Sequence, residues 1–293
     1  MGIGEACSIA SALTWAGGVI IYKRLGESMP PLRLNLIKNL IVLGMIVPTV
    51  LLAHGFALPD LPPSAIALSL TSGVLGIAAG DTLYFRALNT LGAGRMGIVG
   101  NFYSPFVIVL SFVFLDERLN ALQLIGFALV SGGVLIVSSH DPQQRLTPAM
   151  LRRGAMYGVC AILLMAIAIV MVKRVLEAQP LLWIVLLRLF GGVLGMLVLF
   201  AVRREPLWTR DGSAAPLRWP LLVAAAFLGQ YVSMVLWMAG YKYAEASVAA
   251  VLNESASVFI VLLAALFLRE GLDARRLTGV ACTLSGVACM LFA

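Results

Sequence analysis

The sequence predicts an all-α integral membrane protein of ten transmembrane helices, arranged as two inverted five-helix repeats. Three observations lead there. Of the 293 residues, 61% are hydrophobic and only 12% charged, with a mean hydropathy of +0.98, which leaves too little polar surface to face water. Apolar runs of membrane length follow one another with only short polar breaks, whereas a soluble α/β protein would interpose charged surface helices. The two halves of the chain also repeat each other.

The runs are, in order, 5–23, 33–53, 65–89, 94–115 and 121–139, then 154–173, 181–202, 217–242, 246–268 and 274–292. Each supplies about the 20 apolar residues that a helix needs to cross the hydrocarbon. The first run is preceded by Glu5 instead of a basic segment and leads straight into further helices. It is therefore expected to be retained rather than cleaved as a signal peptide. Segment 140–153, HDPQQRLTPAMLRR, gathers polar residues, two prolines and three arginines. It is the expected linker between a first repeat over 1–139 and a second over 154–293.

The duplication is carried by charged and prolyl positions. KRLGESMP from Lys23 matches KRVLEAQP from Lys173 at an offset of 150 residues, with Lys, Arg, Glu and Pro in register. FLDERLNALQLIG from Phe114 matches FLREGLDARRLTG from Phe267 at an offset of 153, pairing Glu117 with Glu270 and Gly126 with Gly279. Shared leucine content alone does not produce such ungapped matches. Because each half holds an odd number of helices, the second enters the membrane upside down relative to the first, as in many transporters.

The net charge of +7 and pI of about 9.5 do not point to nucleic acid, because the basic residues sit at the ends of apolar runs and form no continuous patch. One side of the membrane collects Lys23, Arg24, Arg33, Arg95, Arg145, Arg152, Arg153, Arg203, Arg204, Arg210, Arg218, Arg275 and Arg276; the other holds only Arg118, Lys173, Arg174 and Lys242. The positive-inside rule puts the first side in the cytoplasm and both termini outside a cell (inner) membrane.

Ionisable residues inside apolar runs are costly and point to a lined cavity, which singles out Lys38, Asp81, Arg188 and Glu254. At the 150-residue offset Lys38 pairs with Arg188; at 153, Asp81 falls on Met234, Tyr84 on Trp237, Asn101 on Glu254 and Ser104 on Ser257. Gln230, Met234, Trp237 and Tyr241 follow helical spacing on the eighth helix. Asp81, Tyr84, Asn101, Tyr103, Gln230, Trp237, Tyr241, Asn253, Glu254, Lys38 and Arg188 are the candidate substrate-binding residues. Lys38 or Arg188 would pair with a substrate carboxylate and Asp81 or Glu254 with an amine; Tyr84, Tyr103, Trp237 and Tyr241 would form apolar or cation–π walls. The plainer alternative is that Lys38 and Arg188 reach to headgroups and that the polar stripes join helix to helix.

Other signals carry no chemistry. GAGRMG from Gly92 fits GxGxxG, with Asp116 and Glu117 about 20 residues on. It lies between membrane-length runs, so no βαβ unit can form around it. Glu117 and Glu270 sit at helix ends beside Arg118 and Arg269 and read as solvated or capping groups. Cys7, Cys160, Cys282 and Cys289 fall inside apolar runs without CxxC or Cys/His spacing, and read as packing residues. Gly76/Gly80 and Gly191/Gly195 read as close helix contacts. His54 and His140 fall in loops, and HExxH, GxSxG and P-loop motifs are absent. No catalysis, cofactor or metal is expected.

The segment YFRALNTLGAGRMGIVGNFYSPFVIVLSFVFLDERL from Tyr84, with Ala87, Pro105 and Glu117, resembles the repeat of the EamA family in the drug/metabolite transporter superfamily. The second copy keeps Glu270 but has Val258 in place of the proline. Lys38 and Arg188 stand where that family often has an arginine early in the second helix of each repeat. The resemblance, which covers nearly the whole chain, implies a central cavity between helices one to four and six to nine, alternating access, and export of amino acids or related metabolites. Cousins that carry nucleotide sugars are described with cytoplasmic termini, opposite to the orientation read from the loop charges here.

The expected function is export of amino acids or similar small amphipathic metabolites. The alternatives are an uptake carrier or exchanger for organic cations or anionic metabolites and, from outside the class, a non-transporting scaffold or membrane enzyme subunit. The expected partners are a small-molecule substrate and the lipid bilayer; proton coupling, facilitated diffusion, exchange and the oligomeric state all stay open.

Overall fold

Backbone polar groups in lipid must be satisfied within the chain, and helices do this locally. Accordingly, every regular element among the described residues is helical. The computed structural model describes residues 2–25, 31–55, 59–138, 146–203, 219–268 and 273–293. Of the residues discussed above, Glu27, Pro30, His140, Arg145, Arg204, Arg210, Arg218, Arg269 and Glu270 lie outside that set.

The first half consists of α1 (Ile3–Leu25), α2 (Pro31–His54), a third rod, a fourth rod and α7 (Ala121–Ser138). The third rod is α3 (Pro63–Gly73), a π-helical segment π1 (Val74–Gly80) and α4 (Asp81–Leu91); the fourth is α5 (Ala93–Gly100) and α6 (Tyr103–Phe114). The second half repeats this as α8 (Pro148–Ala178), α9 (Leu181–Arg203), α10 (Trp219–Ala226) with π2 (Phe227–Val232) and α11 (Ser233–Tyr243), α12 (Ala246–Asn253) with α13 (Ala256–Leu268), and α14 (Ala274–Leu291).

Among the described residues eight helical stretches are long and apolar enough to cross a membrane: Leu32–His54, Pro63–Leu91, Arg95–Phe114, Ala121–Ser138, Pro148–Ala178, Leu181–Val202, Trp219–Tyr243 and Ala246–Phe267. α1, of 23 residues, and α14, of 18 residues, are further helices outside that set of eight.

Two expectations need correction. α8 runs for 31 residues, taking in the end of the expected linker and the KRVLEA segment. Its start is set by Thr147, whose hydroxyl accepts from the Met150 N–H, followed by Pro148 at the first helical position. His54 closes α2 instead of lying in a loop.

The packing is that of a membrane bundle, with small residues inside and large apolar ones outside. Leu52, Val109, Phe112, Phe114 and Val198 are more than half exposed, a surface suited to lipid and not to water. Inside, α1 runs against π2 so closely that a β-carbon on Gly18 would lie 2.3 Å from the Gly229 Cα. The same relation recurs between α8 and π1, where Ala168 meets Gly76, the counterparts of Gly18 and Gly229.

α7 and α14, the fifth rods of the two halves, pack along each other. Gly126 meets the carbonyl of Gly286, and its counterpart Gly279 meets the carbonyl of Gly133, the counterpart of Gly286. Position rises along one helix as it falls along the other, so these equivalent helices are antiparallel. The contacts are reciprocal, as a two-fold relation between the halves requires.

The π segments fall at equivalent positions of the two halves, 153 residues apart. A π turn displaces carbonyls from their usual donors, and in π1 the Ile77 carbonyl receives the Asn35 side-chain amide at 2.9 Å. Asn39 in turn donates to Asn35, and all three groups are buried. In π2 the Tyr231 hydroxyl meets Thr49 Oγ1 of α2 at 2.6 Å.

Candidate functional site

The fourth rod of each half is broken at Asn101–Phe102 and Glu254–Ser255, again equivalent positions. A break exposes backbone N–H groups that lipid cannot satisfy. At the first, the Ser104 N–H and hydroxyl both donate to Oε1 of Glu254 from the other half, the N–H at 3.3 Å. Among the described residues Oε2 has no hydrogen-bond partner; the Ser131 hydroxyl, buried and equally without one, lies beside the same carboxylate. Asn101 donates to the Ser131 carbonyl at 3.3 Å, and Asn253 spends its amide on Ala249 one turn back.

Two buried cations project from α2 and α9 at counterpart positions. Lys38 Nζ lies 3.2 Å from Asp81 Oδ2 and 5.4 Å from the centroid of the Phe85 ring. Arg188, 5% exposed, stands with its guanidinium carbon 5.4 Å from the Trp237 ring centroid. Each cation thus stacks on an aromatic ring of the third rod in its own half. Only the first half adds a carboxylate, since Met234 takes the place of Asp81. Arg188 Nη1 is buried with no hydrogen-bond partner among the described residues.

The aromatic residues join these groups. The Tyr103 hydroxyl, from the first half, meets the Tyr241 hydroxyl, from the second, at 2.9 Å. Trp237 stacks edge-on against Tyr241 with centroids 5.0 Å apart. Tyr103 lies within electrostatic reach of both Arg188 and Glu254, and Arg188 within reach of Asp81 and Tyr241. Tyr84 packs with Tyr103 against Met96 and Ile162. Gln230 lies inside π2, so the Gln230–Tyr241 stripe crosses a change of helical pitch and its first member does not continue one straight face. The structure therefore brings Lys38, Asp81, Arg188, Tyr103, Trp237 and Tyr241 together in the interior. Glu254 and Asn101 stand at the helix breaks.

A second polar cluster joins the halves at the membrane end that holds 115–120 and 244–245. Glu117 accepts from the Ala246 and Ser247 N–H groups at 2.8 and 2.9 Å and from the Ser247 hydroxyl at 2.8 Å. It thus caps α12 across the halves, the capping role expected of it. Lys242 donates to the carbonyls of Leu176, Glu177 and Gln179 at the end of α8. Lys173 pairs with Glu177 and donates to the Ala244 carbonyl. Partial burial, and then the Glu117 carboxylate, push the Glu245 carboxyl above its ordinary value, against the pull of Lys173. Lys242 and the cross-half partner of Glu117 escape sequence reading, because tertiary pairing alone defines them.

Among the described residues no group of three His, Cys, Asp or Glu could hold a metal. The four cysteines are free, and Cys160 is exposed on the outer surface of α8, not packed inside as its apolar context had implied.

The model of the EamA-like transporter family matches the chain twice, over residues 2–139 and 152–292. A protein of known crystal structure matches with a TM-score of 0.80 at 18% identity, covering 99% of this chain and 96% of its own, a likeness of fold. No curated protein matches.

Proposed function

We infer that this chain, which belongs to the EamA-like transporter family, exports amino acids or similar small amphipathic metabolites by alternating access. That it is a membrane transporter follows from the family and the apolar helices. The finer reading rests on the interior cluster, where counterpart positions of the two halves supply Lys38 with Asp81 and Arg188 with Trp237. Two cations, a carboxylate and aromatic faces in one apolar interior suit a solute with both charged and apolar parts.

In this reading α1 and α14 complete ten spans. Repeats of 1–139 and 154–293 are inverted about an axis in the membrane plane, a relation supported by the antiparallel reciprocal contacts of α7 and α14. Rocking of one half against the other then opens the interior to each side in turn. The loop charges place both termini outside the cell membrane; a reporter fused after Ala293 that is active only in the cytoplasm overturns that placement.

The site is tested by flux in proteoliposomes over a panel of amino acids, amines and sugar phosphates. Asp81→Asn combined with Trp237→Ala abolishes flux of the carried solute. Unchanged flux removes the interior cluster from the transport path.

A further inference from the structure

We propose that Arg188 is the anchor for a substrate carboxylate and that the chain therefore selects solutes bearing that group. The inference rests on the transport reading above and resolves which of the two buried cations meets the solute. The halves place a cation at the same point, yet only Lys38 has a carboxylate partner, Asp81 Oδ2 at 3.2 Å. The counterpart of Asp81 is Met234, so duplication followed by this difference leaves Arg188 without an ionic partner among the described residues of its own half.

A guanidinium 5% exposed with an unpartnered Nη1 is costly unless an anion completes it. Trp237 covers one face of the group, and Nη1 at its planar edge has no partner among the described residues. That edge presents two parallel N–H donors, the geometry that matches a carboxylate in a bidentate pair. Gly76 lies beside this edge, where a β-carbon would be 3.4 Å from Arg188 Nη2.

Asp81 is the carboxylate within electrostatic reach of Arg188, but it is hydrogen-bonded to Lys38. With their ordinary charges Lys38, Asp81 and Arg188 sum to one net positive charge, which one carboxylate cancels. Because Tyr103 and Tyr241 bridge the halves beside Arg188, an anion bound there would touch groups from both repeats. A solute so placed could bias their relative motion.

The test uses three probes of one shape in proteoliposomes: L-phenylalanine, L-phenylalaninamide and 3-phenylpropionate. The intact chain carries the two carboxylates at least about tenfold faster than the amide, the discrimination expected when a charge-assisted pair is lost. Met234→Asp gives Arg188 the partner that Lys38 already has and lowers carboxylate flux about tenfold; Met234→Asn, of the same shape without the charge, retains it. Arg188→Lys keeps the charge but loses the fork, and weakens carboxylate flux several-fold. Equal flux of all three probes, or of the amide alone, overturns the role of Arg188 and leaves the transport reading standing. Absence of flux for every probe overturns both.

Discussion

Lys38 of α2 and Asp81 of α4 form an ion pair of 3.2 Å inside the bundle, with the lysine side chain 4% exposed and the aspartate 22%. Lys38 therefore points to a carboxylate and not to a headgroup. Asp81→Asn leaves a buried ammonium unmatched, which costs about 3–5 kcal/mol, whereas Lys38→Met with Asp81→Leu recovers most of that. Unfolding in detergent measures both. A double variant no more stable than Asp81→Asn shows that the pair is not the unit.

Gly132 and Gly133 are neighbours on α7 with opposite surroundings. A β-carbon at Gly133 would lie 2.2 Å from Thr283 Oγ1 and 2.6 Å from the Gly279 carbonyl, while one at Gly132 meets nothing within 4 Å. Gly133→Ala is expected to destabilise by about 1–3 kcal/mol. Gly132→Ala gains up to about 1 kcal/mol of helix propensity. Melting temperatures of equal size and sign for the two variants would contradict the α7–α14 contact.

Glu117 satisfies two backbone donors and one hydroxyl at the start of α12. Removing it in Glu117→Ala costs about 1–2 kcal/mol as the loss of a helix cap. It also loosens the end of the bundle where the halves meet. In a background without native cysteines, Ala246→Cys should react faster with a water-soluble maleimide once Glu117 is gone. An unchanged labelling rate would show that the cap does not hold this end closed.

Glu245 beside it behaves in the opposite sense. Its carboxyl sits above its ordinary value because of burial first and Glu117 second. The folded state thus prefers the protonated form, a contribution present in acid and lost as pH rises through the folded value. Glu245→Gln should raise the melting temperature at pH 7, with the gain disappearing toward pH 4. A gain that persists unchanged in acid would assign the effect to something other than charge.

Much of the architecture is legible in the sequence because lipid makes each helix announce itself as an apolar run and because duplication leaves charged markers in register. The same offsets that align Lys23 with Lys173 also align Lys38 with Arg188, so the two interior cations can be located before any coordinates are known. Helix ends and interruptions are less legible. The end of α8 runs past Lys173 because that lysine is buried by pairing with Glu177 and the Ala244 carbonyl, and its apolar stem reads as a boundary only in isolation. The π turns at Val74–Gly80 and Phe227–Val232 depend on partners such as Asn35 on another helix, a tertiary fact that periodicity does not contain. For the same reason, sequence alone leaves open which of the two cations is paired with Asp81. Asp81 takes Lys38 in space, not in register.

In the transport reading, a solute bound in the interior is carried by alternation of the two halves. Counterflow tests it most directly: proteoliposomes preloaded with an unlabelled amino acid are diluted into tracer, and internal tracer is followed over time. Alternation gives a transient overshoot of tracer above equilibrium for at least one amino-acid-like solute, saturable and lost in the Asp81→Asn, Trp237→Ala variant. Tracer entry that never overshoots and rises in proportion to concentration would contradict it.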